Sequence, residues 1–405
     1  MTFETARSAF LLFISLALAS GIALAEKKYD PGATDTEIKI GQTMPYSGPG
    51  SSYGTIGKTE AAYFKMINDQ GGINGRMINL ISLDDGYSPP RTVEQIRRLV
   101  EQDEVLLTFQ NLGTAHNTAV QKYLNAKRVP QLFVATGATK WGDPQHFPWT
   151  MGWQPPYQYE AHHYAKYILK NRPDAKIGIL YQNDDFGRDY LKGFKDALGD
   201  KARTMIVAEV TYEPTDPTID SQIIALQASG ADVFFDVTIP KFAAQAIRKT
   251  YDSGWRPLHV LTNVSISVGT VLQPAGLEKA VGLVSSVYLK DPTDPAWKDD
   301  KSMKDFIAFM KKYYPDGNRD DIFNVYGYAA AQTLVQVLKQ SGDELTRENV
   351  MRQAANLKDL EVAGMLPGIR INTSPTDFYP IKQVQLMRFD GKTWVRFGEL
   401  MSGER

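Results

Sequence analysis

Short apolar runs alternate with amphipathic stretches from Glu37 onward, and this alternation restricts the chain to a small set of folds. Four runs have the length and composition of buried strands: Ile38–Met44, Met77–Leu83, Val105–Phe109 and Gln131–Ala135. The stretches between them have the spacing of helices: Gly57–Asn68, Pro90–Val100 and Ala115–Asn125. Repetition of strand and helix predicts a parallel sheet with helices on both faces.

The alternation begins again at Lys176. The predicted strands are Ile177–Tyr181, Thr204–Val210, Val233–Val237, His259–Asn263 and Val281–Tyr288. The predicted helices are Gly187–Leu198, Thr218–Ala228 and Phe242–Ser253. The intervening segment Trp149–Tyr159 carries Pro155-Pro156 flanked by aromatic residues, which favours a crossover linker without regular structure. We therefore expect two α/β lobes.

The last third of the chain follows a different pattern. Its predicted helices are Lys301–Tyr313, Asn324–Lys339 and Arg347–Ala355, and its predicted strands are Ile369–Asn372, Ile381–Phe389 and Thr393–Phe397. Asp390-Gly391 between the last two strands suits a type I′ hairpin turn. Because helices followed by a hairpin do not continue either alternating series, we expect this part to cap the two lobes.

Residues 1–25 have the pattern of a signal peptide. Arg7 gives a weak positive start, Ala9–Ala19 is apolar, and Ala23-Leu24-Ala25 fits the small-x-small cleavage site. The apolar run is short for a membrane span, although an N-terminal anchor is the alternative. We expect cleavage after Ala25 and export to the periplasm.

Composition excludes several classes of function. The sequence contains no cysteine, which rules out disulfides, thiol catalysis and Cys-ligated metals. Its 45 basic and 46 acidic residues give a formal net charge of −1, without the basic excess typical of nucleic-acid binding.

The sequence shows no complete phosphate-loop or zinc motif. Gly54–Thr59 resembles a phosphate loop, but Ser52 stands where that motif needs glycine. The five histidines include no His-x-x-x-His pair that would favour zinc. The acidic pairs Asp84-Asp85 and Asp184-Asp185 are more typical of helix caps than of acid–base chemistry. We predict no cofactor and no metal, and a cleft between the lobes that closes on a ligand.

Several motifs together are similar to one family. Ile38-Lys39-Ile40-Gly41 leads into Ser47-Gly48-Pro49, and the first predicted helix ends in Ile67–Arg76, which contains the Asn-x-x-Gly-Gly-Ile-x-Gly pattern. Thr136–Thr139 and Asp184–Gly187 add weaker matches. Over roughly residues 36–400, the chain resembles the branched-chain amino-acid binding proteins, the type I periplasmic solute-binding proteins of ABC transporters.

The resemblance implies two Rossmann-like lobes joined by three crossovers, with the ligand between them. The first lobe would be 36–153 with 288–365, and the second 157–285 with 370–400. The crossovers would lie near Gln154–Tyr157, Val284–Tyr288 and Met365–Arg370.

The binding positions implied by the resemblance fall on Tyr53, Leu112, Gly113, Thr114, Ala138, Thr139, Phe186, Thr238, Asn263 and Phe323. Tyr53 would cover the ligand. The loops containing Thr114 and Thr139 would hold its carboxylate with backbone N–H groups and hydroxyls, which bind an anion without arginine. Phe186, Thr238 and Phe323 would complete the cleft.

One implied position departs from the family pattern. Amino-acid binders pair the ligand's ammonium with an acidic residue of the second lobe, and this position is Asn263 here. A neutral amide cannot neutralise a buried ammonium. We therefore expect an acid without an α-amino group, first of all an aromatic carboxylate between Tyr53, Trp153, Tyr157 and Phe186. A branched-chain or other amino acid is the alternative, with Asp184, Asp185 or Asp236 replacing the missing acid.

The resemblance therefore implies a transport protein rather than an enzyme. Its partners would be a small solute and the membrane permease of an ABC transporter, and we expect a monomer that binds no nucleic acid. An exported enzyme with an unrecognised site and a free-standing ligand sensor are the alternatives.

Overall fold

The computed structural model describes residues 27–403, so the predicted signal peptide lies outside the described residues. Two β-sheets organise this part of the chain, and each belongs to one α/β lobe. A small parallel pairing of Lys28–Tyr29 with Glu344–Leu345 lies apart from both sheets.

The first sheet is entirely parallel. Its strands are β1 (Glu37–Met44), β2 (Met77–Asp84), β3 (Leu107–Phe109), β4 (Gln131–Val134) and β5 (Thr150–Gly152). They lie in the order β2-β1-β3-β4-β5. The eight paired residues of β1 and β2 run in register from Glu37 and Met77 to Met44 and Asp84.

The second sheet repeats this order and then extends it. Its strands are β6 (Ile177–Gln182), β7 (Ile206–Tyr212), β8 (Val233–Val237), β9 (Leu258–Leu261), β10 (Val284–Val287), β11 (Gln383–Phe389) and β12 (Trp394–Ser402). The parallel part is β7-β6-β8-β9-β10. The hairpin β11–β12 continues it antiparallel.

Ten helices of eight residues or more occur in residues 27–403. They are α1 (Gly54–Asp69), α2 (Pro89–Glu101), α3 (Thr114–Lys127), α4 (Tyr157–Asn171), α5 (Asp185–Leu198), α6 (Asp220–Ala228), α7 (Pro240–Asp252), α8 (Lys301–Tyr313), α9 (Ile322–Ser341) and α10 (Arg347–Ala354). No helix of this part of the chain combines the length and apolarity needed to span a bilayer.

The segment predicted as a linker, Trp149–Tyr159, is structured at both ends. It contains β5, which is too short to show a pattern in sequence, and the first residues of α4. Pro156 occupies the N-cap position of α4. The prolines therefore lie in the irregular link 153–156 between β5 and α4, and they also mark the helix start, where a missing N–H costs little.

The C-terminal hairpin extends the second sheet instead of capping the lobes. Phe389 pairs with Trp394, so the loop has four residues rather than the two of a type I′ turn. The Asp390 carboxylate closes this loop by accepting from the N–H groups of Lys392 and Thr393 at 2.8 and 2.9 Å. Two further strand predictions were wrong: Ile369–Asn372 forms no strand, and β7 begins at Ile206 after the short helix Ala202–Met205.

Helix α9 belongs to the first lobe although it follows the second in the chain. It packs along α1, where a Cβ on Gly327 would come within 2.8 Å of the Ile56 carbonyl oxygen. The hydroxyls of Thr55 and Thr59 both donate to Asn324 Oδ1, at 2.6 and 2.7 Å. This packing brings the start of α9 to the cleft. The residue limits predicted for the lobes stay a prediction, with β10 running to Val287 inside the predicted second crossover.

Candidate functional site

A cavity lies between the two lobes, at the edge where the parallel strands of both sheets end. It holds about 670 Å³ of space unoccupied by protein atoms, its open mouth included. Its walls are mainly apolar, aliphatic as well as aromatic, and the aromatic residues are Tyr53, Tyr87, Tyr157, Phe186, Tyr288, Phe323 and Tyr326.

The first lobe presents the N-terminus of α3 to this cavity. Leu112, Gly113 and Thr114 line it, and no side chain caps the helix. Gly113 has φ +101°, and a Cβ there would lie 2.2 Å from His116 Nδ1, so only glycine fits. The first N–H groups of a helix have no partner within the helix and carry its positive dipole end. This edge of the cavity is therefore suited to an anion.

Tyr53 and Phe323 cover the cavity from the first lobe. Their ring centroids are 5.2 Å apart. The Tyr53 hydroxyl donates to the backbone oxygen of Val264 in the second lobe at 3.0 Å. Burial raises the pKa of Tyr53 well above its usual value, so the hydroxyl stays neutral. Tyr53 thus joins the lobes over the ligand space.

The second lobe contributes Phe186 and Asn263. Phe186 packs edge-on against Tyr157 with centroids 5.4 Å apart. The backbone N–H of Asn263 donates to Glu160 Oε1 at 2.9 Å. Among the described residues, no group accepts a hydrogen bond from the Asn263 side-chain nitrogen, although the residue is only 7% exposed. An unpartnered buried amide on a cavity wall is a candidate ligand contact.

Three of the ten predicted positions do not line the cavity. The Thr139 N–H and hydroxyl donate to Asp189 Oδ2 of the second lobe at 2.8 and 2.9 Å, so they already have a carboxylate partner. Ala138 precedes it and is buried. The Thr238 hydroxyl donates to Asp236 Oδ1 at 2.6 Å. The neighbouring Ile239 presents an apolar side chain to the cavity in its place.

Trp153 also lies away from the cavity. It is completely buried, and its indole N–H donates to the Thr333 hydroxyl at 3.1 Å. Its ring packs edge-on against Tyr326 at 4.9 Å between centroids, so it supports the wall from behind.

The acids considered as replacements for a missing ammonium partner all have other partners. Asp184 caps α5 by accepting from Phe186 N–H at 2.9 Å, and burial raises its pKa. Asp185 accepts from Lys140 at 2.7 Å, and this hydrogen bond lowers its pKa. Asp236 accepts from Thr238 and lies 3.0 Å from His259 Nε2. None of these carboxylates lines the cavity, and neither does any other charged side chain of the described residues.

Sequence inspection overlooked several wall residues. Tyr87 follows the carboxyl end of β2. Because ligands of α/β sheets bind beyond the carboxyl ends of the strands, Tyr87 could have been predicted as a wall residue. Tyr326 lies one helical turn after Phe323 on α9, so the same face carries both. No pattern in the sequence indicated that Ile239, Tyr288 and Leu289 would line the cavity.

Hydrogen bonds and an ion pair join the lobes around the cavity. Besides the contacts of Tyr53 and Thr139, Lys140 pairs with Asp185. Asp321 at the start of α9 accepts from Ser267 and Thr270 at 2.8 and 2.6 Å. The lobes are thus closed on each other. Within residues 27–403, no group of three or more His, Asp or Glu side chains is arranged to hold a metal ion.

Comparison with known proteins gives a consistent result. Residues 37–393 match the family model described as periplasmic binding protein. Leu/Ile/Val-binding protein homolog 1 from Brucella abortus (strain 2308) is 25% identical over 339 residues, covering 82% of this chain and 86% of that protein.

Two solved structures show the same fold. A branched chain amino acid ABC transporter protein from Thermus thermophilus with bound valine has a TM-score of 0.82 at 15% identity, covering 91% of this chain and 97% of that one. A fatty acid ABC transporter substrate-binding protein from Thermomonospora curvata has a TM-score of 0.76 at 22% identity, covering 93% of this chain and 95% of that one. The predicted two-lobed type I fold is confirmed by these neighbours.

Proposed function

The chain belongs to the periplasmic binding protein family, and from that premise we propose that it captures an apolar monocarboxylate, most suitably an aromatic acid, for an ABC transporter. The family is one of solute-binding proteins rather than enzymes, and its name places its members in the periplasm. The proposal concerns which solute this chain binds.

The observation that carries the proposal is the charge distribution of the cavity wall. The wall contains no charged side chain of the described residues, while the uncapped N-terminus of α3 offers N–H groups and a positive dipole end. A carboxylate is stabilised there. An ammonium would enter the same cavity without a carboxylate partner, at a cost of several kcal/mol. An acid without an α-amino group fits best.

The aromatic walls favour a flat apolar body. Tyr157 stacks on Tyr190 with centroids 4.4 Å apart and meets Phe186 edge-on, so these rings are held in place rather than free to rotate. Rigid aromatic surfaces contribute large contact areas at low entropic cost. One structural neighbour has bound valine and another is a fatty acid ABC transporter substrate-binding protein, so the fold itself accommodates acids with and without an ammonium group.

Capture would proceed by closure of the lobes. The anion site belongs to the first lobe, and Phe186 and Asn263 belong to the second, so a solute contacts both only in the closed form. Its differential affinity for that form shifts the equilibrium from open to closed. The closed protein would then dock on the membrane permease.

A binding screen tests the solute class. The mature protein, refolded to remove carried-over ligand, is screened by thermal shift against aliphatic amino acids, their amides, fatty acids and aromatic carboxylates. We expect stabilisation by aromatic carboxylates and not by leucine or valine. Stabilisation by leucine or valine alone would overturn the proposal and establish an amino-acid binding protein.

Transport is separated from sensing by an uptake assay. Deletion of the gene should abolish uptake of the solute identified in the screen, and a plasmid copy should restore it. Unchanged uptake with a lost transcriptional response would instead identify a ligand sensor.

A further inference from the structure

The side-chain nitrogen of Asn263 is an unpartnered donor in the wall of the cavity. This nitrogen is buried and has no hydrogen-bond acceptor among the described residues. A buried amide donor without a hydrogen-bond partner destabilises the folded protein. The residue lines the cavity, on the lobe opposite to the α3 N-terminus. The missing acceptor is therefore best supplied by the solute.

The backbone of Asn263 is, by contrast, firmly held. Its N–H donates to Glu160 Oε1 at 2.9 Å, and Glu160 also accepts from the hydroxyls of Tyr164 and Tyr190, the latter at 2.6 Å. Glu160 is fully buried on α4. Because three donors already occupy its oxygens, Glu160 has little capacity left for a ligand ammonium.

Glu160 also orients a second part of the wall. Tyr190, which donates to Glu160 Oε2, stacks on the cavity residue Tyr157 at 22° between ring planes. One buried acid thus fixes both the loop that carries Asn263 and the ring beside it.

We propose, resting on the function proposed above, that the solute carries an uncharged oxygen at the end away from its carboxylate, and that Asn263 binds this oxygen while Glu160 positions Asn263. The carboxylate binds at α3 of the first lobe. A hydroxyl or ether oxygen accepts from the Asn263 amide. The site therefore selects ring-oxygenated aromatic monocarboxylates over their hydrocarbon analogues.

Matched solute pairs test the proposal. Calorimetry compares 4-hydroxy, 4-methoxy and 4-methyl forms of benzoate, phenylacetate and 3-phenylpropanoate, since the length of the spacer decides which oxygen reaches Asn263. In the series that binds, we expect an oxygenated member to bind about tenfold tighter than its methyl analogue. Equal affinities within every binding series would refute the role of Asn263 and leave the proposed function intact.

Failure of the proposed function gives a different result. In that case no aromatic acid of any series binds, whereas an amino acid does. Asn263→Leu keeps the side-chain size without the amide, and should bind both members of a pair with the affinity of the methyl compound. Retained discrimination in Asn263→Leu would exclude this residue.

The positioning role of Glu160 has its own readout. Glu160→Gln keeps an acceptor for the Asn263 N–H but disturbs the tyrosine donors, and should narrow the oxygenated-to-methyl affinity ratio to about threefold or less. Glu60→Gln is the matched control, because Glu60 is an equally buried acid of the first lobe bonded to Gln42 rather than to a cavity residue. A purely structural role would lower the melting temperature of both variants and leave the ratio unchanged.

Discussion

The two lobes share one strand order but end their strands differently at the cavity. After the third strand of the first sheet, α3 begins with Gly113-Thr114 and no cap. After the corresponding strand β8, α7 begins with Pro240, which has no N–H, and Ile239 N–H donates to the Tyr212 hydroxyl at 3.0 Å. Helix α5 of the second lobe is capped by its own Asp184. The same topology thus places the N-terminus of α3, the proposed anion site, at the cavity in one lobe and an apolar wall in the other.

The lesson is that cap residues, rather than strand order, decide which helix ends can bind a ligand. A helix N-terminus closed by aspartate or proline has fewer free N–H groups to offer. The following experiments strengthen or break this comparison.

The largest effect is expected from the glycine that opens α3. Gly113→Ala introduces a Cβ at a positive φ and against the His116 ring, which displaces the anion site. We expect affinity for the carboxylate to fall roughly a hundredfold as charge-assisted hydrogen bonds are lost, measured by calorimetry. Gly282→Ala is the control: φ is +90° there, but nothing lies within 4 Å. It should cost about 1 kcal/mol of stability and no affinity.

A smaller effect separates Thr114 of the first lobe from Thr238 of the second. Thr114→Val removes a cavity-wall hydroxyl that lies 2.6 Å from the Thr136 hydroxyl, and should weaken solute binding about tenfold. Thr238→Val removes the 2.6 Å donor to buried Asp236, and should lower the free energy of unfolding by about 1–3 kcal/mol without changing affinity. Urea unfolding gives the free energy of unfolding of each variant, and calorimetry gives its affinity for the solute. Equal losses of affinity would mean that the second lobe also binds the acid.

Thr139 should act on closure rather than on the solute. Thr139→Ala removes one donor to Asp189 and should lower affinity only a few-fold, with a matching shift toward the open form. A fluorophore on each lobe reports the open–closed equilibrium by energy transfer. Thr139→Ser keeps the hydroxyl and should behave as wild type. Weakened binding with an unchanged equilibrium would place Thr139 in contact with the solute.

The smallest effect concerns the ion pair between the lobes. The hydrogen bond from Lys140 lowers the pKa of Asp185 in the closed form. Its contribution is therefore present above the ordinary pKa of 3.8 and is lost as pH falls below it. Because both side chains are about 40% exposed, we expect at most a two- to threefold change in the ligand-free open–closed equilibrium. Asp185→Asn should abolish this pH dependence. An identical pH profile in the variant would mean that another titrating group, rather than Asp185, causes the pH dependence.

Prediction from sequence succeeded where a local pattern was long. Val233–Val237 and Lys301–Tyr313 were predicted to the residue, because one is apolar except for Asp236 and the other is an amphipathic helix of ordinary length. Prediction failed for β5, which has three residues, and for α4, whose first residues were included in the predicted linker. Elements without a repeating pattern of their own depend on neighbours distant in sequence.

The candidate site divides in the same way. Seven of the ten predicted positions line the cavity, among them Gly113, whose conformation is a local property of the loop. Thr139 and Thr238 do not line the cavity, because their hydroxyls donate to the carboxylates of Asp189 and Asp236 instead. Hydroxyl partners of this kind are chosen by side-chain packing, which residue type alone does not reveal.

The sequence by itself determined the two alternating series, the lack of cysteine chemistry and the neutral residue at position 263, since these depend only on residue order and type. Tertiary structure alone decided that Glu160 lies behind Asn263 and that α9 returns to the first lobe. The reason is physical: the hydrogen bond between Asn263 and Glu160 joins residues 103 positions apart, and no local pattern encodes such a pair.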